Sequence, residues 1–229
     1  MSRPGAGTAQ PVGFDPDAAF RHLRAADPLL AALIDANDIR FESDESRDGD
    51  HYAALIRAIV GQQLSTKVAR VMWGRILERF GGRAPSPEEV LADDPEELRA
   101  AIGLSRAKVS FLRSLAEHVA SGELDLDHVS TLPDDELIRE LTAVKGIGDW
   151  SAHMFLMFQL DRPDVLAWGD LGVRKGVQLV YGLEDLPHRT ELVAISEPWR
   201  PYRSAGCRLM WWMLNNEPAR AGGVPEGND

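Results

Sequence analysis

Cysteine is almost missing from this chain of 229 residues, where Cys207 stands alone. One cysteine cannot close an internal disulfide, build a cysteine zinc site or hold a four-cysteine iron–sulfur cluster. His22, His51, His118, His128, His153 and His188 are scattered, with no ligand pair of the H-x-x-x-H kind, so no protein-ligated transition metal is expected. Long apolar runs are missing too: none approaches the roughly 20 residues that cross a bilayer, and the N-terminal M-S-R-P-G-A-G-T-A-Q-P-V-G has no apolar signal core. The expectation is a soluble cytoplasmic protein with no membrane partner. Alternating strand patterns are likewise absent, which leaves an all-α fold. Lysine is scarce, confined to Lys67, Lys108, Lys145 and Lys175.

What is present is acid. The 36 Asp and Glu exceed the 25 Lys and Arg, giving a formal net charge of −11. Phosphate binding is driven by Lys and Arg, so the balance argues at first against nucleic acid. Placement says more than the total. The acid gathers in residues 84–98, 122–128 and 133–137, which read as solvated helix starts and loops, while every lysine lies within or beside one of the motifs described below.

Residues 1–13 and 217–229, rich in Gly, Pro and small polar residues, read as flexible tails. Helix signals fill the interval. Two short helices precede residue 40, and an apolar helix runs from His51 to Gln62. Ser65 is placed to cap a helix whose Val68, Met72, Ile76 and Phe80 form one inward stripe, closed by Gly81 and Gly82. Ser105 is placed to cap another, with Leu112, Leu115, Ala116 and Val119 inward and Gly122 at its end. Helices over 134–143, 150–160, 171–181 and about 199–215 follow.

The informative stretch is L-T-A-V-K-G-I-G-D-W-S-A-H-M-F-L-M-F-Q-L, residues 141–160. A helix ends at Val144, the chain turns through Lys145-Gly146-Ile147-Gly148, and a new helix starts near Asp149. Glycines two apart permit a tight turn and close approach of another backbone. The amides opening the second helix point outward with the positive end of its dipole, which suits a phosphate. By itself this G-x-G fits either a DNA-backbone hairpin or an ordinary joint between core helices.

Four motifs in order carry a resemblance: I-V-G-Q-Q-L-S (59–65), I-G-L-S-R-A-K (102–108), V-K-G-I-G-D-W-S-A (144–152) and W-G-D-L-G-V-R-K-G (168–176), with W-R-P-Y-R-S-A-G-C-R-L-M-W (199–211) as a fifth piece. Together they span about residues 50–215. The chain resembles the helix-hairpin-helix DNA glycosylase superfamily, and within it the alkylbase branch, 3-methyladenine DNA glycosylase II. The resemblance implies two helical subdomains flanking an active-site cleft: residues 50–165 as a six-helix subdomain carrying the hairpin at 141–160, and residues 14–49 plus 166–216 as a terminal one. It implies a monomer acting on double-stranded DNA that contains damaged bases.

The same resemblance assigns the site residues. Asp170 falls on the catalytic aspartate; it is also a natural helix N-cap, and both roles are compatible because a helix start favours negative charge. Cleaving an N-glycosidic bond builds positive charge on the sugar, which a facing carboxylate stabilises. Bifunctional members carry a lysine nucleophile two residues after the second hairpin glycine; here that position is Trp150, which implies a monofunctional enzyme that leaves an abasic site. Trp150, Trp211 and Met154 are the candidates for the base pocket, each with an alternative reading as core. Gln63 is the expected wedge that fills the hole left by the flipped base, with Gln62 and Leu64 as alternatives. Lys145, Gly146, Gly148 and Ser151 are the expected backbone contacts. No cofactor is required, although main-chain oxygens of Thr142, Val144 and Ile147 are a possible Na+ or K+ site. Two rivals stay open: a glycosylase for deaminated or oxidised bases, and a non-catalytic DNA-binding module.

Overall fold

The structure, a computed structural model, describes residues 15–41 and 50–216; the expected tails 1–13 and 217–229 lie outside the described residues. Every regular element among the described residues is helical, and no helix there is long and apolar enough to cross a membrane. The chain divides into two compact units, one of described residues 50–160 and one of 15–41 with 161–216. In chain order, α1 (Pro16–Ala26) and α2 (Pro28–Asp35) belong to the second unit. The first comprises α3 (His51–Gly61), α4 (Thr66–Arg79), α5 (Pro87–Ala92), α6 (Pro95–Ile102), α7 (Arg106–Ser121), α8 (Asp134–Ala143) and α9 (Asp149–Met154), which continues into a π turn over Phe155–Gln159. The second is completed by α10 (Leu171–Tyr181), α11 (Arg189–Ser196), a 3-10 turn (Glu197–Trp199) and α12 (Arg203–Asn215).

The first unit therefore holds more helices than the six expected, because the acidic run 84–98 folds into α5 and α6. Ser86 and Glu89 form a reciprocal capping box at α5, Asp94 caps α6, and Pro87 and Pro95 each open a helix. Proline at the first helical position loses no intrahelical bond, and acid in the first turn suits the dipole. Ser65 and Ser105 cap α4 and α7 through the amides of Val68 and Lys108. Leu55, Ile56, Ile59, Ile76, Leu98, Ile102, Leu115, Leu137, Leu141 and Leu156 are buried.

One stripe differs from expectation. Of the four residues of the α4 stripe, Ile76 is buried, Met72 and Phe80 are half-buried, and Val68 is 42% exposed. The helix is held toward its C-terminal half by polar contacts: Arg75 donates to the Ile102 carbonyl and Arg79 pairs with Asp93. On α7, Leu112, Leu115 and Ala116 are buried while Val119 is half-buried.

The units divide after Leu160, five residues before the expected boundary. Residues 161–166 are fastened to α12 instead: Ser204 Oγ donates to the Arg162 carbonyl at 2.6 Å and accepts from Val165 N at 3.0 Å, and Arg203 forks onto Asp164. In the second unit the closest helix pair is α10 against α12. A Cβ added at Gly176 would lie 2.6 Å from Met210 Cβ and 2.7 Å from the Met210 carbonyl oxygen. That approach needs glycine because the obstacle includes backbone. Asp27 caps α2 and also accepts from the Tyr181 hydroxyl and the Trp199 indole, joining α2 to the end of α10 and the 3-10 turn.

Gly176→Ala is expected to destabilise by about 1–3 kcal/mol through overpacking, a fall in Tm of about 2–4 °C per kcal/mol for a chain of this size. Gly74, on α4 with open space around its Cβ position, is the opposite case. Gly74→Ala is expected to raise stability by about 0.5–1 kcal/mol. Thermal melts of both variants check the pair of signs.

Candidate active site

The hairpin forms because α8 ends at Val144 and the Ile147 amide returns to the Val144 carbonyl at 3.1 Å, a four-residue turn with Gly146 third. Gly146 has φ 91°, and a Cβ there would fall 2.2 Å from Phe111 Cγ of α7. Two independent constraints, chain sign and ring contact, demand glycine. Gly148 differs. Its backbone is extended, at φ −101° and ψ 176°, it is the N-cap of α9, and nothing lies within 4 Å of its Cβ position. Steric fit inside the fold does not require glycine at 148.

A second turn lies against the hairpin. Gly61-Gln62-Gln63-Leu64 follows α3, with the Leu64 amide bonded to the Gly61 carbonyl at 3.1 Å. Gln62 has φ −51° and ψ 131°, and Gln63 has φ 58°, the geometry of a type II turn whose third position normally takes glycine. Gln62 turns inward: its Nε2 donates to the Gly146 carbonyl at 2.8 Å and lies 3.4 Å from Ser151 Oγ. Gln63 turns outward and is exposed. The structure thus separates Gln63, the expected wedge, from its alternative Gln62. Ser151, expected at the phosphate-facing surface, is buried, with its hydroxyl facing Gln62.

Along α9 and its π turn, Trp150 is 47% exposed, Met154 half-buried and Phe158 43% exposed. With about 3.6 residues per turn, steps of four in a pure α-helix drift by about 40° each. The wider π turn returns part of that drift, so the three share one face, and π turns of this kind occur often at functional sites. Phe158 was missed in the sequence; the spacing of four from Trp150 and Met154 was the available signal.

In the second unit, Asp170 is the N-cap of α10. Its Oδ1 accepts from the Val173 amide at 2.8 Å and from the Trp211 indole N–H at 2.8 Å. Trp211, expected as a pocket wall, thus contacts the candidate catalytic carboxylate itself. Gly172 makes this possible, since a Cβ there would sit 2.8 Å from Trp211 Cδ1 and 3.0 Å from Asp170 Oδ1. Nearby, the Arg189 guanidinium stacks 4.1 Å over the Trp168 ring, a cation–π contact beside the turn that leads into the aspartate.

Several basic residues in the sequence motifs are engaged internally. The Lys108 ammonium donates to the Val60 and Gln62 carbonyls, Arg174 donates to the Pro187 carbonyl, and Arg203 pairs with Asp164. Lys145 remains exposed at the hairpin, its Nζ resting 3.1 Å from Ser110 Oγ.

Residues 56–201 match the family model described as HhH-GPD superfamily base excision DNA repair protein. DNA-3-methyladenine glycosylase 1 of Schizosaccharomyces pombe is 36% identical over 162 residues, 70% of this chain and 71% of that protein. The solved 3-methyladenine DNA glycosylase of the same yeast, in complex with abasic DNA, superposes with a TM-score of 0.75 at 32% identity, covering 87% of this chain and 97% of that one. A DNA-3-methyladenine glycosidase from Bacillus halodurans gives 0.76 at 31% identity, covering 89% and 91%.

The two hairpin glycines should respond differently to alanine. Gly146→Ala is expected to destabilise by about 2–4 kcal/mol, combining left-handed strain with the clash on Phe111. Gly148→Ala is expected to leave Tm within about 2 °C while weakening duplex binding, since its open side is where a phosphate would approach. Melting and fluorescence-anisotropy titration on both variants check this; Gly148→Ala binding as well as wild type counts against a DNA-facing role.

Proposed function

The chain belongs to the HhH-GPD superfamily of base excision DNA repair proteins, and from that premise we propose that it is a monofunctional DNA-3-methyladenine glycosylase. It flips an alkylated base from duplex DNA and hydrolyses the N-glycosidic bond, leaving an abasic site. The observation that carries the reading is Asp170: a carboxylate at a helix start, fixed by two donors on one oxygen. Fixed orientation lets the charge act on the reacting sugar without reorganisation during the reaction.

The chemistry follows from what each group supplies. An alkylated purine carries positive charge and leaves without a strong general acid. As the C–N bond lengthens, positive charge moves to the sugar, where Asp170 stabilises it and orients the attacking water. The exposed face of Trp150, Met154 and Phe158 offers aromatic and polarisable surface to an electron-poor base, with stacking of about 1–3 kcal/mol per base. Trp150 occupies the position of the lysine nucleophile in lyase-type members, so no Schiff base forms there. Gln63 fills the space the base leaves, and the hairpin around Gly148 holds the backbone, with Lys145 beside it.

The protein acts as a monomer in the compartment that holds the DNA. At the hairpin, carbonyls at the C-terminal end of α8 gather at the negative end of its dipole. By the family resemblance, main-chain oxygens of Thr142, Val144 and Ile147 would hold a hard monovalent cation there.

Asp170→Asn tests the reading. Both hydrogen bonds fall on one oxygen, so the asparagine carbonyl retains cap and indole contact, and stability should fall little. The lost charge, about 4 Å from the sugar at an effective dielectric near 20, is worth about 4 kcal/mol, or on the order of a thousandfold in rate. Single-turnover release from methylated duplex measures it. A folded variant within a few-fold of wild type overturns the assignment. Product strands should also stay intact until alkali and heat, with no borohydride-trapped adduct.

A further inference from the structure

Lys108 and Gln62 meet at a turn that is strained and ties three elements together. The Lys108 ammonium, from the first turn of α7, donates to the Val60 carbonyl at 2.6 Å and the Gln62 carbonyl at 2.9 Å. Both carbonyls lie at the C-terminal end of α3, where unpaired carbonyls and the negative end of the dipole favour a cation. Gln62 in turn donates through Nε2 to the hairpin carbonyl of Gly146. Between these anchors stands Gln63, at φ 58° and exposed. A side chain in left-handed backbone persists where its surroundings impose it, and such positions cluster at functional sites. Glycine would serve the turn without strain, so retaining a side chain at 63 needs a reason outside the turn itself.

We propose that Lys108 and Gln62 are positioning residues for base flipping: they brace the Gly61–Leu64 turn so that Gln63 is held outward as the wedge. The Gln62–Gly146 bond couples that wedge to the hairpin. This rests on the glycosylase reading and on Gln63 as the wedge. The coupling has a physical consequence. The Gly146 carbonyl belongs to the turn that leads into α9, so a hairpin seated on DNA backbone fixes one end of the brace, and Lys108 fixes the other. The wedge is then rigid when the duplex is gripped. Lys108 is half-buried, and desolvation draws its pKa below the ordinary lysine value, as expected of an internal anchor rather than a phosphate contact.

The experiment uses full-length protein and duplexes with a single 7-methylguanine, paired with cytosine or mispaired with thymine, and 2-aminopurine beside the lesion to report unstacking. Lys108→Met keeps length and removes the donor; Gln62→Met does the same for the hairpin bond, and melts establish that the variants fold. Expected in the unstacking rate and in single-turnover release from the paired duplex is a loss of about tenfold or more for Lys108→Met, the scale of a lost charge-assisted hydrogen bond, and of about three- to tenfold for Gln62→Met, the scale of a neutral one. Release from the mispaired duplex, which is already loosened, should fall less. Affinity for undamaged duplex should stay within about twofold. In a Gln63→Gly background, Lys108→Met should add nothing to the flipping defect, whereas Gln63→Gly alone raises thermal stability by relieving the left-handed strain. Lys108→Arg, which can still reach both carbonyls, should restore part of the rate. Equal losses on both duplexes, additivity with Gln63→Gly, or rates within twofold of wild type overturn the brace while leaving the glycosylase reading intact. A wild-type protein that releases base from neither duplex overturns both.

Discussion

Trp211 reaches Asp170 because two helices are allowed to touch. α10 and α12 approach at Gly176, where any side chain would strike the Met210 backbone, and one turn closer to the start of α10 Gly172 leaves room for the Trp211 indole. The result is a carboxylate oxygen with two donors at 2.8 Å. A cap bond to the helix backbone sets the height of the carboxylate, and the indole sets its rotation. Neither bond alone fixes both. Gly172 and Gly176 are thus part of the candidate catalytic arrangement without carrying any chemistry of their own, since preorganisation of the charge depends on the helices closing to this distance.

The first unit solves a related problem with opposite means. Its two turns are alike in form, each four residues long with positive φ at the third position, yet one places Gly146 there and the other Gln63. At Gly146 the neighbouring Phe111 ring excludes any side chain. At Gln63 the side chain is kept in a conformation that costs on the order of 1–3 kcal/mol. The two turns are joined by Gln62, so the strained one rests on the unstrained one.

Much of this was legible in the residues. The all-helical class, the hairpin, the caps at Ser65 and Ser105 and the aspartate at the start of α10 all follow from local signals: glycine spacing, capping chemistry and apolar period. What was not legible shares a cause. Whether Gln62 or Gln63 faces out depends on the sign of φ at a turn, which side-chain chemistry does not announce when neither residue is glycine. Lys108 and Arg203 sit among the motifs as a DNA-facing charge would, but their partners, the carbonyls of Val60 and Gln62 and the side chain of Asp164, come from distant sequence. Ser151 is buried by the same long-range packing. The short helices α5, α6 and α11 were not placed individually, six to eight residues giving only a weak period. The acidic total, as its placement in 84–98 suggested, reports helix starts such as Glu88, Glu89, Glu96 and Glu97.

The central claim is that Asp170 acts as a fixed negative charge on a cationic sugar. The most direct measurement compares binding to duplexes carrying a cationic pyrrolidine abasic analogue and a neutral tetrahydrofuran one, in wild type and in Asp170→Asn. With an interaction of up to about 4 kcal/mol for a full charge, wild type should prefer the cationic analogue by at least about tenfold, and the variant should lose that preference while holding its affinity for the neutral one. Equal affinities in wild type, or a preference that survives in Asp170→Asn, would contradict the account.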